Sequence, residues 1–463
     1  MSKIFTLILL CWTLLASSKL IGSEVIDFDL YRLDSAREFE KISLQDFIEG
    51  SALDSALLIL SGIQGDEPGA FNATSIFIKH YKIKNGSILV VPNLNQHSIL
   101  KNNRGIYGDM NRKFAALASS DPEWEAIQRI KLLILDKRIG AILHLHDGSG
   151  FYRESYISAL LNPNRWGNCS IIDQETLFSP KDLSENISSV VEYINANLLD
   201  ELHRYRIRNT NTAQGDDEQS KSLTYFATLN KKMAFASEAS KVLGLDGRVY
   251  YHLLAIEGML KNLGVEFERD FELSLPNIRA KINDKNMDIL IEGRVLLPLH
   301  NLKSQLNFFP LPKSSKVDFR SNTPIVWLFK DGKNYRIKNG NRGVAVLSPF
   351  FIDFDTSLQG AKFIVDGEEI EAQIGSVVKV KRSFSVKNLP YRVNVIGYSG
   401  RGSEVEVEIR RRDLMGKFAI DKANTKFRVE FYKGADSADS ADLVNSARDK
   451  EKFAGMIIVD FGE

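Results

Sequence analysis

The sequence predicts an α/β domain, a mixed sheet flanked by helices, followed by small all-β units of barrel or sandwich type. Two observations carry this expectation. From about Glu24 to Gly264, short apolar runs alternate with stretches of helical period, whereas beyond residue 270 short β-rich runs follow one another with glycine and asparagine turns. A third observation concerns the start of the chain. Lys3 precedes the apolar stretch Ile4 to Leu15, too short for a membrane span, and the small residues Ala16, Ser17 and Ser18 follow it. Residues 1–20 therefore read as an export signal, and nowhere later do 18 apolar residues run together, so a soluble exported protein without stable membrane insertion is expected. With 463 residues, 44% of them hydrophobic, the chain can bury a core in each of several domains, and a formal net charge of +1 offers no global field for nucleic acid.

Taken in order, Ala56 to Ser61 has the length and apolar character of a buried parallel strand, and a helix is expected from Pro68 to Tyr81. The turn between them, Gly62-Ile63-Gln64-Gly65-Asp66-Glu67, lies at the carboxyl end of that strand, where open α/β sheets bind ligands. Gln64 and Glu67 offer an amide oxygen and a carboxylate to a cation, although glycine-rich turns of this kind also serve as plain connections. A second strand, Ser87 to Pro92, leads to a polar loop containing Arg104, Asn111 and Arg112. Arginine forks there suit a planar carboxylate or a developing oxyanion; a surface loop with ordinary ion pairs has the same composition. Asp121 and Pro122 are expected to start a helix that reaches Lys137. In the strand Gly140 to His146, the alternation of side chains puts His144 and His146 on one face, where one can bind metal while the other supports it or packs in the core. His80, His97, His203, His252 and His300 lack ligand-like spacing and read as structural. Cys169, the cysteine left once Cys11 is removed with the signal, has no base beside it and reads as a packed thiol. Asp246 is expected to cap a last helix with the apolar face Val249, Leu253, Ile256, Leu260 and Leu263, stopped by Gly264.

The β-rich part is expected to contain no further helix of note, with strands at Arg279 to Ile282, Met287 to Leu297, Lys426 to Tyr432 and Gly455 to Val459 among others. Val405, Val407 and Ile409 alternate with Glu404, Glu406 and Glu408, as in a half-buried strand. The tripeptide repeat from Ala435 to Asp442 reads as an extended loop.

Together, Gln64-x-x-Glu67, Arg104 seven residues before Asn111-Arg112, His146 after a strand, and Phe235-Ala236-Ser237-Glu238 resemble the zinc carboxypeptidase superfamily. Its usual signature is His-x-x-Glu, Arg, Asn-Arg, a distant His and a glutamate on a late strand. The glutamine in place of histidine, the stretch from His146 to Arg153 and the β-rich tail resemble in particular the cell-shape-determining DL-carboxypeptidases that trim peptidoglycan in curved and helical bacteria. That resemblance spans the mature chain. It implies a zinc carboxypeptidase domain at 21–268, a barrel-like domain at 269–357 and an immunoglobulin-like domain at 358–463. It further implies one zinc ion per chain held by Gln64, Glu67 and His146, with Glu238 as general base and Arg104 stabilising the oxyanion. Arg104, Asn111 and Arg112 would bind the substrate, a periplasmic peptidoglycan peptide stem cut between γ-D-Glu and meso-diaminopimelate. The β domains would face cell-wall protein partners. Glutamine departs from the usual pattern, since an amide oxygen is a weaker zinc donor than imidazole.

Two other classes compete on the same residues. The Arg-to-Asn spacing is similar to that of the aspartoacylase and desuccinylase branch, which would make the protein an amino-acid deacylase. A metal-free wall-binding module is the other, with Gln64 marking a decayed site.

Overall fold

The computed structural model describes residues 28–50, 56–173, 183–314, 316–400, 402–434 and 451–462. The expected export signal, Cys11 within it and the Ala435 to Asp442 repeat lie outside these residues. The chain divides into two compact units, one ending at Ile282 and the other beginning at Asn283.

The first unit is built on an eight-stranded mixed sheet. Its strands are β1 (Leu30–Asp34), β2 (Arg37–Ile42), β3 (Ala56–Leu60), β4 (Ser87–Val91), β5 (Ile139–Gly148), β6 (Cys169–Ile172), β7 (Arg206–Asn209) and β8 (Met233–Ser240). They lie in the order β7-β6-β8-β5-β3-β4-β1-β2. The four strands β4, β3, β5 and β8 run parallel, so their carboxyl ends emerge along one edge, while β1 and β6 run against their neighbours β4 and β8. Every residue of β3 is buried, as befits a strand covered on both faces.

Alternation along β3 sends Leu57 and Ile59 into one core with α1 (Pro68–His80), and Leu58 and Leu60 into the other with α2 (Trp124–Leu135) and α3 (Leu223–Leu229). Helix α4 (Leu245–Asn262) adds Val249, Leu253, Ile256 and Leu260 to the first core, the face expected from the sequence. Burying each such side chain stabilises by roughly 1.5–3 kcal/mol, which fixes the strand ends that carry the site.

Several boundaries differ from expectation for local reasons. Helix α2 starts at Trp124 with Glu123 as its cap, because the Asp121 carboxylate accepts the Glu123 N–H and pairs with Lys113 instead of opening the helix. Gly244, not Asp246, caps α4, and Asp246 sits in its first turn. Residues Arg279 to Ile282, expected as a strand, close the helix α5 (Leu275–Ile282). Its Ile278 and Ile282, four apart, are both buried in the first core, a period that a four-residue window could not reveal. The first unit accordingly continues past residue 268.

The second unit contains short sheets and no α-helix among the described residues. The run Met287 to Leu297 is a hairpin, Asp288–Ile291 against Val295–Pro298, turned through Glu292 and Gly293 at positive φ. Two four-stranded sheets near the end of the chain enclose a core containing Phe363, Phe384, Phe427 and Val459. Strands Lys426–Lys433 and Lys452–Asp460 also send Tyr432, Phe453, Met456 and Ile458 into a separate core with Ile289, Phe309 and Leu347, which explains their nearly continuous burial. The expected strand Glu404 to Ile409 is absent except at Ile409–Arg410. Glu404 turns inward and accepts the Val395 N–H at 3.0 Å, and Glu406 has φ +60°, so the extended run is broken.

Candidate active site

The turn after β3 is pressed against its surroundings by glycine. A Cβ on Gly65 would lie 2.0 Å from the Ser98 carbonyl carbon, and Gly62 has φ +69° with the Pro92 carbonyl 2.9 Å from where its Cβ would be. This close approach turns Gln64 and Glu67 inward, where they are 1% and 3% exposed. Glu67 occupies the cap position of α1 but makes no capping hydrogen bond. The Gly69 N–H of that first turn donates instead to Asp147 Oδ2 at 2.8 Å, which leaves the Glu67 carboxylate to face the site.

Three donor atoms converge there. His146 Nδ1 lies 2.8 Å from Gln64 Oε1 and 3.1 Å from Glu67 Oε2. Asp109 orients the amide, since Gln64 Nε2 donates to its Oδ1 at 2.9 Å and Oε1 is thereby aimed at His146. The same carboxylate accepts Arg104 Nε at 3.0 Å and the Asn111 N–H at 3.0 Å, so one residue positions a donor, a guanidinium and the following turn. Arg104 Nη1 approaches Glu67 Oε1 at 3.4 Å. His144 stands behind His146 on the same face of β5: its Nδ1 is 2.7 Å from His146 Nε2, and its Nε2 is 2.7 Å from Thr224 Oγ1 on α3. On β8, Glu238 sits in register beside His146. Asp147 is held by His252 Nε2 at 2.9 Å and Arg248 Nη1 at 2.8 Å from α4, while its own N–H donates to Glu67 Oε2 at 3.2 Å.

Burial, reinforced by the charge of Asp147, pushes the Glu67 carboxyl up to about 8. Burial likewise raises Glu238 to about 7, against the opposing influence of His146. Asp147 behaves differently: burial would raise it, but the His252 and Arg248 partners outweigh burial and hold it below the usual carboxylate range. Burial lowers both His144 and His146, so the Glu67–His146 contact joins a carboxyl to a neutral imidazole and is not a full ion pair. Partial burial would lower Arg104, but Asp109 and Glu67 face it and hold it above the usual range.

A cavity of about 260 Å³ opens over this cluster, and all seven residues singled out from the sequence line it: Gln64, Glu67, Arg104, Asn111, Arg112, His146 and Glu238. Asn111 Oδ1 accepts the Leu223 N–H at 3.0 Å, which fixes the loop carrying Asn111 to the start of α3. Thr224, Trp166 and Lys241 also line the cavity without having been read from the sequence. Neither were the roles of Asp109 and His252. Asp109 stands two residues before Asn111 and was legible as part of that motif; His252 carried no signal beyond its place beside Leu253 on the buried face of α4. Cys169 is fully buried beside Trp166, its thiol raised well above the usual range by burial, as a packed thiol should be.

An amide oxygen and a carboxylate oxygen, each within hydrogen-bond distance of one imidazole nitrogen, form with it a donor set suited to a borderline divalent cation. Among the described residues, no three His, Cys, Asp or Glu side chains form a metal-holding group. The Gln64 amide oxygen is the third donor atom beside His146 and Glu67. The site also places a partly buried carboxylate, Glu238, and a half-exposed arginine, Arg104, over the same cavity, the parts needed for hydrolysis of an acyl bond.

Residues 32–283 match the family model described as the catalytic part of a carboxypeptidase controlling helical cell shape. Residues 284–353 match the β-barrel domain of the same carboxypeptidase family, and residues 354–462 match a C-terminal domain of metallo-carboxypeptidase. Among solved structures, the product-bound and tripeptide-bound forms of the cell shape determinant protein Csd4 from Helicobacter pylori are similar at 44% identity. Each covers 94% of this chain and 100% of its own, with a TM-score of 0.83. The mDAP-bound form of the Helicobacter pylori protein, described as a D,L-carboxypeptidase, matches at 46% identity over 88% of this chain and 97% of its own, with a TM-score of 0.82. The search of curated proteins returned no match.

Proposed function

The chain belongs to the family of metallo-carboxypeptidases that control helical cell shape, and from that membership we propose a zinc-dependent DL-carboxypeptidase of the periplasm. Its substrate is the peptidoglycan tripeptide stem, and it cuts the γ-D-Glu-meso-diaminopimelate bond to release diaminopimelate. The observation that carries this reading is the meeting of Gln64, Glu67 and His146 beneath a cavity that Glu238, Arg104, Asn111 and Arg112 also line. The tripeptide and mDAP bound to the Helicobacter pylori protein supply the substrate class.

Gln64, Glu67 and His146 would hold one zinc ion, which when bound supplies Lewis acidity to polarise the scissile carbonyl and acidify a water. Glu238 takes the proton of the attacking water on its carboxylate and returns it to the nitrogen of the departing diaminopimelate. Arg104, held by Asp109, donates to the carbonyl oxygen as that atom gains charge. Asn111 and Arg112 bind the free α-carboxylate of the terminal residue, which confines cleavage to the chain end. Residues 1–20 direct export. No described helix is long and apolar enough to cross a membrane. The tail domains, whose boundary we place near residue 357, present surfaces to cell-wall proteins.

The test is digestion of purified muropeptides followed by mass spectrometry, with and without a chelator. Diaminopimelate release from tripeptides, abolished by chelation and restored by zinc, is expected, and Gln64→Ala should retain zinc poorly. Release of an acyl group from N-acyl amino acids instead would make the protein a deacylase. Zinc-free protein that binds muropeptides without cleaving them would make it a wall-binding module.

A further inference from the structure

His146 engages a neighbour through each ring nitrogen. Nδ1 faces Gln64 Oε1 and Glu67 Oε2, Nε2 meets His144 Nδ1, and the far nitrogen of His144 meets Thr224 Oγ1. The two rings are 3% and 4% exposed and stand edge to face at 82°, so nitrogens meet edge-on with little room for water between them. A neutral imidazole carries a single N–H, so the hydrogen's place on one ring dictates its place on the next.

Two assignments satisfy the chain. In the first, His146 Nδ1–H donates to Gln64 or Glu67, His144 Nδ1–H donates to His146 Nε2, and the Thr224 hydroxyl donates to His144 Nε2. In the second, His146 Nδ1 is a bare lone pair, its Nε2–H donates to His144 Nδ1, and His144 Nε2–H donates to Thr224 Oγ1. A hydroxyl can end the chain in both directions because it both donates and accepts; a carbonyl could serve only the second and an amine in its charged form only the first.

We propose that His144 and Thr224 form a reversible hydrogen-bond relay that lets His146 shed its Nδ1 hydrogen and offer the bare lone pair to a metal ion while every contact along the buried chain stays paired. This rests on the zinc site proposed above. On metal uptake, the Nδ1 proton leaves to water and the His144 Nδ1 hydrogen passes to His146 Nε2. The Thr224 hydrogen passes to His144 Nε2, and a solvent proton reaching the cavity that Thr224 lines restores the hydroxyl. One proton leaves and one enters. Thr224 and His144 are thus positioning residues that act through His146.

The experiment compares wild type, Thr224→Val and Thr224→Ser, full-length and folded by circular dichroism, for zinc affinity against a competing chelator. In parallel, histidine-labelled protein is used to read the ¹⁵N shifts of His146 in zinc-free and zinc-loaded states, assigned with His146→Gln. Thr224→Val leaves the His144 Nε2–H of the loaded state without an acceptor, so zinc affinity should fall about tenfold to a hundredfold, and Thr224→Ser should restore it. The His146 hydrogen should sit on Nδ1 without zinc and on Nε2 with it. Wild-type affinity in a folded Thr224→Val protein, or an Nε2 hydrogen in the zinc-free wild type, would overturn the relay. A wild type that takes up no zinc would overturn the zinc reading and the relay with it, whereas zinc uptake without the move of the hydrogen from Nδ1 to Nε2 would overturn the relay alone. Should Thr224→Val not fold, the wild-type spectra carry the decision.

Discussion

At the residue scale, partly buried Glu238 and buried Glu67 are both carboxyls raised above their usual range, yet they are asked to do different things. Glu238, raised to about 7, must be ionised to accept a proton, so activity should fall as pH drops through its pKa. A cation held by His146 beside it lowers that pKa, which places the acidic limb of kcat at or below about 7. Glu238→Gln should remove the limb and cost on the order of 10² to 10⁴ in kcat while zinc content, measured by atomic absorption, stays at one per chain. Glu67 tests burial itself. Below the ordinary glutamate value of 4.5, folded and unfolded chains are both protonated and no penalty arises. Between there and about 8 the unfolded chain ionises and the folded one resists, so stability of the chelator-stripped protein is lost as pH rises and the loss is complete above about 8. Stripped wild type should therefore lose more Tm between pH 5 and 8 than stripped Glu67→Gln. Parallel Tm profiles would show that Glu67 is not the strained group.

At the element scale, the turn from Ser61 to Glu67 is the part whose shape the site depends on most. Gly65→Ala would push a methyl to 2.0 Å of the Ser98 backbone, and a backbone on both sides cannot move aside as a side chain could. Destabilisation of about 1–3 kcal/mol is expected, with loss of zinc retention because Gln64 and Glu67 move with the turn. Urea unfolding and chelator competition check the two parts separately; unaltered zinc retention would mean the turn tolerates the shift. The turn and the strands β3, β4 and β5 were legible to within a residue or two, since an uninterrupted apolar run bounded by glycine or proline has few alternatives. Helix α5 and the broken run at Glu404 were not. In α5 the decisive signal is the pair Ile278 and Ile282 meeting a core contributed by other elements, and at Glu404 it is one backbone N–H, that of Val395, supplied from another strand.

At the scale of the whole molecule, the division at Ile282 gives each unit its own cores, and the proposed zinc ligands all belong to the first. A ligand that binds only one folded unit stabilises that unit through mass action. Calorimetry should then resolve two transitions, and chelation should lower the Tm of one while leaving the other in place. A single transition that shifts as a whole would mean the units unfold together.

The sequence by itself determined the chemistry offered at the site: Gln64, Glu67, Arg104, Asn111, Arg112, His146 and Glu238 lie in short motifs at strand ends, where local spacing and the parallel sheet bring them to one edge. The tertiary structure alone decided how those groups are aimed and charged. Asp109 turning the Gln64 amide, Asp147 relieving Glu67 of capping, His252 and Arg248 holding Asp147, and Thr224 ending the histidine chain join residues separated by 45 to 105 positions, Gln64 to Asp109 being the shortest such span and Asp147 to His252 the longest. Such pairings, like the burial that raises Glu67 and Glu238, follow from packing of whole elements, and no local pattern encodes them.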